Sequence, residues 1–182
     1  MEGQIEMLSD THTQSPFTGS LLVVDDNSMN RIMLSRYTAK LGYRATLVEN
    51  GRRALEELQH SPFDLVLLDV EMPEMNGYEV LEHLKADAHL RDIPVIMISA
   101  VEEVESVVRC IELGAQDYLP KPFNPVLLRA RLGACLEHKR LRDQEIDYLR
   151  QVGFVTATAN APVCDSCLSG SHLPQCDLSQ PL

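Results

Sequence analysis

A few charged and polar residues stand directly after short apolar runs, and their types suggest one chemistry. Asp25 and Asp26 follow Leu21-Leu22-Val23-Val24. Asp69 follows Leu65-Val66-Leu67-Leu68, Ser99 closes Pro94-Val95-Ile96-Met97-Ile98, and Lys121 comes just after Tyr118-Leu119. Three carboxylates drawn together repel and raise one another's pKa unless a cation lies among them. A hard divalent ion with oxygen ligands and retained water suits that set, Mg²⁺ in particular. A lysine and a hydroxyl beside it suit a phosphoryl oxygen. Neither GxxxxGK[ST] nor GxGxxG occurs, so a bound nucleotide is not indicated.

Bringing these residues together requires a particular arrangement of elements. Leu21–Val24, Arg44–Val48, Leu65–Leu68, Pro94–Ile98 and Ala115–Leu119 read as five strands. Helical spacing lies between them. Met29, Ile32, Met33, Tyr37 and Leu41 mark a first helix stopped by Gly42, and Ala54, Leu55 and Leu58 a second. Asn76-Gly77 opens a third, carrying Tyr78, Leu81 and Leu84. Val104, Val107, Val108 and Ile111 mark a fourth, ending at Gly114, and Pro125 opens a fifth. Continuous apolar strands imply burial on both faces, as in a parallel sheet covered by helices. The expected architecture is a doubly wound α/β domain with its crevice at the carboxyl ends of the strands. That edge gathers Asp25, Asp26, Asp69, Ser99 and Lys121.

Four segments carry a family resemblance: Val23-Val24-Asp25-Asp26-Asn27, Leu67-Leu68-Asp69-Val70-Glu71-Met72-Pro73, Ile98-Ser99-Ala100 and Tyr118-Leu119-Pro120-Lys121-Pro122-Phe123. They resemble the signatures of the receiver domain of bacterial two-component response regulators, over roughly residues 20–133. The spacings also fit, with 30 residues from Asp69 to Ser99 and 22 from Ser99 to Lys121. The resemblance implies a flavodoxin-like fold, a five-stranded parallel sheet, and phosphorelay signalling. Asp69 would be the phosphoacceptor, taking a phosphoryl group from a sensor histidine kinase or a histidine phosphotransfer protein. Asp26 and Asp69 would ligate Mg²⁺ directly, Asp25 through water, and the carbonyl of Glu71 would complete the site. Lys121 would pair with phosphoryl oxygens, aimed by a cis bond to Pro122. Ser99, where the family often has Thr, would hydrogen-bond the phosphoryl group, and Tyr118 would be the aromatic switch residue.

Singly, each residue has a plainer role: helix cap for Asp25 or Asp26, surface charge for Lys121, strand residue for Tyr118. Four such segments in order at strand ends argue against that reading. A Mg²⁺-dependent phosphatase-like hydrolase is the chemical alternative. The adjacency of Asp25 and Asp26 and the absence of a DxD nucleophile motif weigh against it. No output enzyme domain is expected in this chain.

The flanking segments read differently. Residues 1–19 form an acidic leader without Lys or Arg. Beyond the receiver, helical spacing continues through residues 134–155, with Leu141, Tyr148, Val152 and Val155 on one seam. That suggests a signalling or coiled-coil helix and a possible homodimer. The run Arg140–Arg150 is similar to linkers after receivers in multidomain regulators, including some with a cyclase output, and that resemblance implies a fragment of such a regulator. The tail, residues 156–182, has no hydrophobic period and reads as disordered. It holds Cys164, Cys167, His172 and Cys176, near zinc-knuckle spacing. Two readings of it stay open, a zinc site serving an adaptor role or incidental cysteines. Cys110 and Cys135 fall at apolar helical positions and read as core. Glu102, Glu103 and Glu105 suit the start of a helix. The formal charge of −11, with no Trp and 5% aromatic residues, argues against nucleic acid and anionic membrane as partners. With no signal-peptide pattern and no membrane-length apolar run, a cytoplasmic location is expected.

Overall fold

The computed structural model describes residues 18–100 and 104–152. All five expected strands and five expected helices are present. They are β1 (Gly19–Val24), α1 (Ser28–Lys40), β2 (Tyr43–Val48), α2 (Gly51–His60), β3 (Leu65–Asp69), α3 (Gly77–Ala86), β4 (Val95–Ser99), α4 (Val104–Glu112), β5 (Asp117–Pro120) and α5 (Pro125–Gln151). The strands pair in parallel in the order β2-β1-β3-β4-β5. The chain divides into two compact units, Met1–Arg142 and Asp143–Leu182, and the sheet lies in the first.

Period-two alternation divides the strand side chains between two cores. Leu22, Val24, Val66, Leu68, Val95 and Met97 pack with Ala54, Leu58, Val80, Leu84 and Cys110 from α2, α3 and α4. Leu21, Val23, Leu65, Leu67, Ile96 and Ile98 pack with Leu34 of α1 and Leu128, Leu132 and Cys135 of α5. Every one of those strand residues is buried, which is why the runs contain no polar interruption. Each buried Leu or Ile contributes roughly 1.5–3 kcal/mol by leaving water.

The helices start where their caps stand. Asn27 accepts hydrogen bonds from the Met29 and Asn30 amides, and Asn50 from that of Arg53. Asn76 and Glu79 form a reciprocal capping box at the start of α3. Gly42, with φ of +86°, ends α1 in the left-handed region.

Three sequence expectations need adjustment. The helical spacing located α1 but not its buried face: Met29 and Ile32 are 66% and 43% exposed, while Leu34 and Thr38 are buried. Thr38 is tolerated there because its hydroxyl donates to the Leu34 carbonyl at 2.9 Å. The fifth strand starts at Asp117 rather than Ala115, because Gly114 and Ala115 are still bonded back to Ile111 and Cys110 of α4. The fifth helix runs through Gly133 without a break and ends at Gln151. The rest of the leader, Glu102 and Glu103, Val155, and the tail with Cys164, Cys167, His172 and Cys176 lie outside the described residues.

One glycine fixes how closely α3 approaches the end of β3. A Cβ at Gly77 would stand 2.2 Å from the Asp69 carbonyl oxygen and 2.9 Å from the Val70 Cα, both backbone atoms. Neither can move without moving the strand end. Gly77→Ala is expected to cost about 2–3 kcal/mol of stability, the upper range for overpacking. Urea unfolding measures this, and a loss below about 0.5 kcal/mol, the scale of a neutral surface change, would contradict it.

Candidate functional site

The carboxyl ends of the central strands build a cluster of charge. β1 delivers Asp25 and Asp26, and the adjacent β3 ends in Asp69. Carboxylate oxygens of the three lie within 4.8 Å of one another. Asp25 and Asp69 are buried, and Asp26 is exposed. Lys121 follows β5, two strands away from β3. Its amide donates to the Ser99 carbonyl at 2.8 Å, and its bond to Pro122 is cis. From there its Nζ reaches Asp69 Oδ2 at 2.7 Å and Asp25 Oδ2 at 2.9 Å.

The backbone around these acids is arranged to hold them. The Asn27 amide donates to Asp25 Oδ1 at 2.8 Å, and the Asn30 side-chain amide spans both Asp25 oxygens at 3.1 and 3.0 Å. Arg31 donates to the carbonyls of Asp25 and Asp26 at 2.7 and 3.0 Å, fixing the turn from β1 into α1. The Glu71 amide donates to Asp69 Oδ1 at 3.3 Å. Sequence reasoning assigned no role to Asn30 or Arg31. Their only signal was position on the first turns of the helix that follows the two acids.

The electrostatics follow from burial. Removal from water and, less, the Asp25 charge raise the Asp69 carboxyl, the hydrogen bond from Lys121 opposes them, and the net result is a pKa pushed up to about 6. For Lys121 burial alone would lower the ammonium pKa. Hydrogen bonds and charge from Asp69 and Asp25 outweigh burial and leave it raised. The two buried carboxylates therefore share the Lys121 ammonium, with Asp26 beside them at the rim. That donor set, all hard oxygen and short of positive charge, fits Mg²⁺.

The remaining expected residues take their places around this cluster. Ser99 is buried at the end of β4, one residue beyond the Ile98 that pairs with Asp69. Tyr118 is buried on β5 opposite Met97, within the core shared with α2, α3 and α4. Glu71 directs its side chain to solvent, leaving its backbone as the part near the site.

Comparison with known proteins agrees with this geometry. Residues 21–133 match the family described as "Response regulator receiver domain". A rice (Oryza sativa subsp. japonica) protein named "Two-component response regulator ORR5" is 40% identical over 106 residues, which are 58% of this chain and 79% of that protein. A Vibrio cholerae serotype O1 protein named "Probable cyclic di-GMP phosphodiesterase" is 41% identical over 133 residues. Those residues are 71% of this chain but only 30% of that relative's length. Among solved structures, the receiver domain of a Pseudomonas aeruginosa PAO1 sensor histidine kinase superposes with a TM-score of 0.61 at 29% identity. It covers 65% of this chain and 98% of that one, and that structure holds a magnesium ion coordinated in its active-site cleft. With its four signature segments at the ends of a five-stranded parallel sheet, this chain belongs to the response regulator receiver domain family.

Proposed function

We propose that Asp69 is the phosphoacceptor of this receiver. The carrying observation is the placement of its buried carboxylate, 2.7 Å from the Lys121 ammonium and within 4.8 Å of Asp25 and Asp26. An Asp69 oxygen attacks phosphorus in the partner's phosphohistidine. The P–O bond forms as the P–N bond breaks, and the electron pair leaves with the imidazole nitrogen. Lys121 then exchanges its bond to the carboxylate for one to a phosphoryl oxygen, so no new charge has to be recruited. Asp25, Asp26 and Asp69, with the Glu71 carbonyl, would hold Mg²⁺. That ion supplies neutralisation of phosphoryl charge. Ser99, buried at the end of β4, would hydrogen-bond the new phosphoryl group. Its movement, with Tyr118 turned inward, would shift the α4 face.

The partner is a sensor histidine kinase or a histidine phosphotransfer protein. Met29 and Ile32, exposed on α1 directly after Asp25 and Asp26, give that partner an apolar surface beside the site. The net charge of −11 favours a protein partner in the cytoplasm over nucleic acid or an anionic membrane. Among the described residues no helix is long and apolar enough to cross a membrane. Leu141 and Tyr148 stay exposed on the C-terminal helix and Val152 just after it, which supports pairing of two copies through residues 134–155. Light scattering across a range of protein concentration checks that pairing. A purely monomeric chain at every concentration would contradict it.

Three outcomes follow for the site itself. Acetyl phosphate with Mg²⁺ should label the wild type to about one equivalent, and EDTA or Asp69→Asn should abolish labelling. Persistent labelling of Asp69→Asn would remove Asp69 as acceptor, and steady turnover of a small phosphomonoester would favour a hydrolase instead.

The second outcome concerns pH. The raised Asp69 pKa means that the folded protein holds a proton there down from about pH 6, and Mg²⁺ must displace it. Apparent Mg²⁺ affinity should be level above pH 6 and fall by up to about tenfold per pH unit below it. Titration calorimetry measures it, and affinity unchanged from pH 7 to pH 5 would contradict the assignment.

The third concerns Lys121. Removing it strands two buried carboxylates, so Lys121→Ala should cost about 2–4 kcal/mol at pH 7 without metal. Below about pH 5 the cost should shrink, because Asp69 is then neutral. A pH-independent loss in urea unfolding would contradict a charge-based role.

A further inference from the structure

We infer that Tyr78 is a positioning residue that links the Asp69 loop to α4, by a route separate from Ser99 and Tyr118. The inference rests on the receiver reading of Asp69. It starts from how α3 is anchored. Gly77 lies so close to the Asp69 carbonyl oxygen that a Cβ would not fit, and its amide donates to the Val70 carbonyl at 2.9 Å. The first turn of α3 is thereby tied to the backbone of the proposed acceptor. The next residue is Tyr78.

Tyr78 reaches across to α4. The Arg109 guanidinium stands over its ring, 4.2 Å from the centroid. Its hydroxyl meets Ser106 and the thiol of Cys110. Ser106, Arg109 and Cys110 are spaced to share one face of α4, so one ring touches two successive turns. Cys110 is fully buried and fixes the depth of that contact.

Beneath this contact α3 and α4 share the apolar core, through Val80, Leu84 and Cys110. A cleft of roughly 370 Å³ opens between the β3–α3 loop and α4, lined by Val70, Glu71, Met72 and Asn76 as well as Tyr78, Ser106 and Arg109. Displacement passes through close-packed groups and is absorbed by open space. Among the described residues on the solvent side of the core, Tyr78 bridges this cleft between the loop that holds Glu71 and the face of α4. A ring held by stacking and a hydroxyl contact has two separable parts, so a shift of α4 breaks the contact rather than stretching it. Such a contact biases whichever α4 position makes it.

The test uses the full chain with beryllofluoride and Mg²⁺, a phosphoryl mimic for Asp69. Hydrogen exchange of Val104–Glu112 is compared with and without the mimic, and fluorine NMR reports its binding. Wild type should bind the mimic and change exchange in α4. Tyr78→Leu and Arg109→Gln should still bind it, with the change in α4 exchange reduced about twofold or more. Tyr78→Phe, which keeps the ring and loses the hydroxyl contact, should fall between. A merely structural role would lower the unfolding midpoint of these variants and leave the exchange response intact. An undiminished response in Arg109→Gln and Tyr78→Phe overturns the inference even if Tyr78→Leu fails to fold. A wild type that does not bind the mimic contradicts the Asp69 assignment, and the inference with it.

Discussion

Two buried carboxylates and a third at the rim, facing a single ammonium, set the terms for the rest of the molecule. Charges of like sign do not gather out of water without a gain elsewhere. Asp25 and Asp69 accept this because adjacent parallel strands end together, and the backbone geometry of β1 and β3 leaves them no other place. Lys121 arrives from β5 and satisfies one oxygen of each. Burial first, and the Asp25 charge after it, still outweigh that ammonium and leave the Asp69 pKa raised. A divalent cation and then a phosphoryl group are the two additions that such a site accommodates in turn. The cost is met by two apolar cores, one on each face of the sheet.

The supporting parts can be read as responses to the same constraint. Asn27 and Asn30 bond the Asp25 carboxylate, and Arg31 pins the carbonyls behind it. Gly77 lets α3 begin against the Asp69 backbone. These contacts keep the acids at fixed positions while they are repelling one another. They also tie the site to the elements that would report its state. Ser99 and Tyr118 lie on the β4–β5 side, and Tyr78 lies on the α3 side. Helix α4 stands at the meeting point of both and presents Val104, Val108 and Ile111 to solvent. If phosphorylation moves α4 as proposed, that exposed apolar stripe is a surface whose partners would change with it.

Much of this was legible from residue order. The strands showed because burial on both faces excludes polar residues, and the site showed because Asp25, Asp26, Asp69, Ser99 and Lys121 directly follow them. The orientation of helices was less legible. Met29 and Ile32 look like core residues by spacing, yet they face out near the mouth of the site, and Thr38 is buried by satisfying its own hydroxyl. On α4 the spacing correctly marked Cys110 as core, yet Val104, Val108 and Ile111, which share its apolar period, face solvent. Asn30 and Arg31 had no sequence signal beyond proximity, since their partners depend on how the chain turns from β1 into α1. The link through Tyr78 was invisible for the same reason: it joins two helices whose separation is a tertiary fact.

The residue that carries the phosphoryl group decides whether Asp69 is the acceptor. Borohydride reduction converts an aspartyl phosphate to homoserine, which peptide mass spectrometry locates within the chain. After acetyl phosphate and Mg²⁺ treatment of the full chain, homoserine should appear at position 69 and nowhere else. Conversion at another acidic residue, or none at Asp69 under conditions that consume acetyl phosphate, would contradict it.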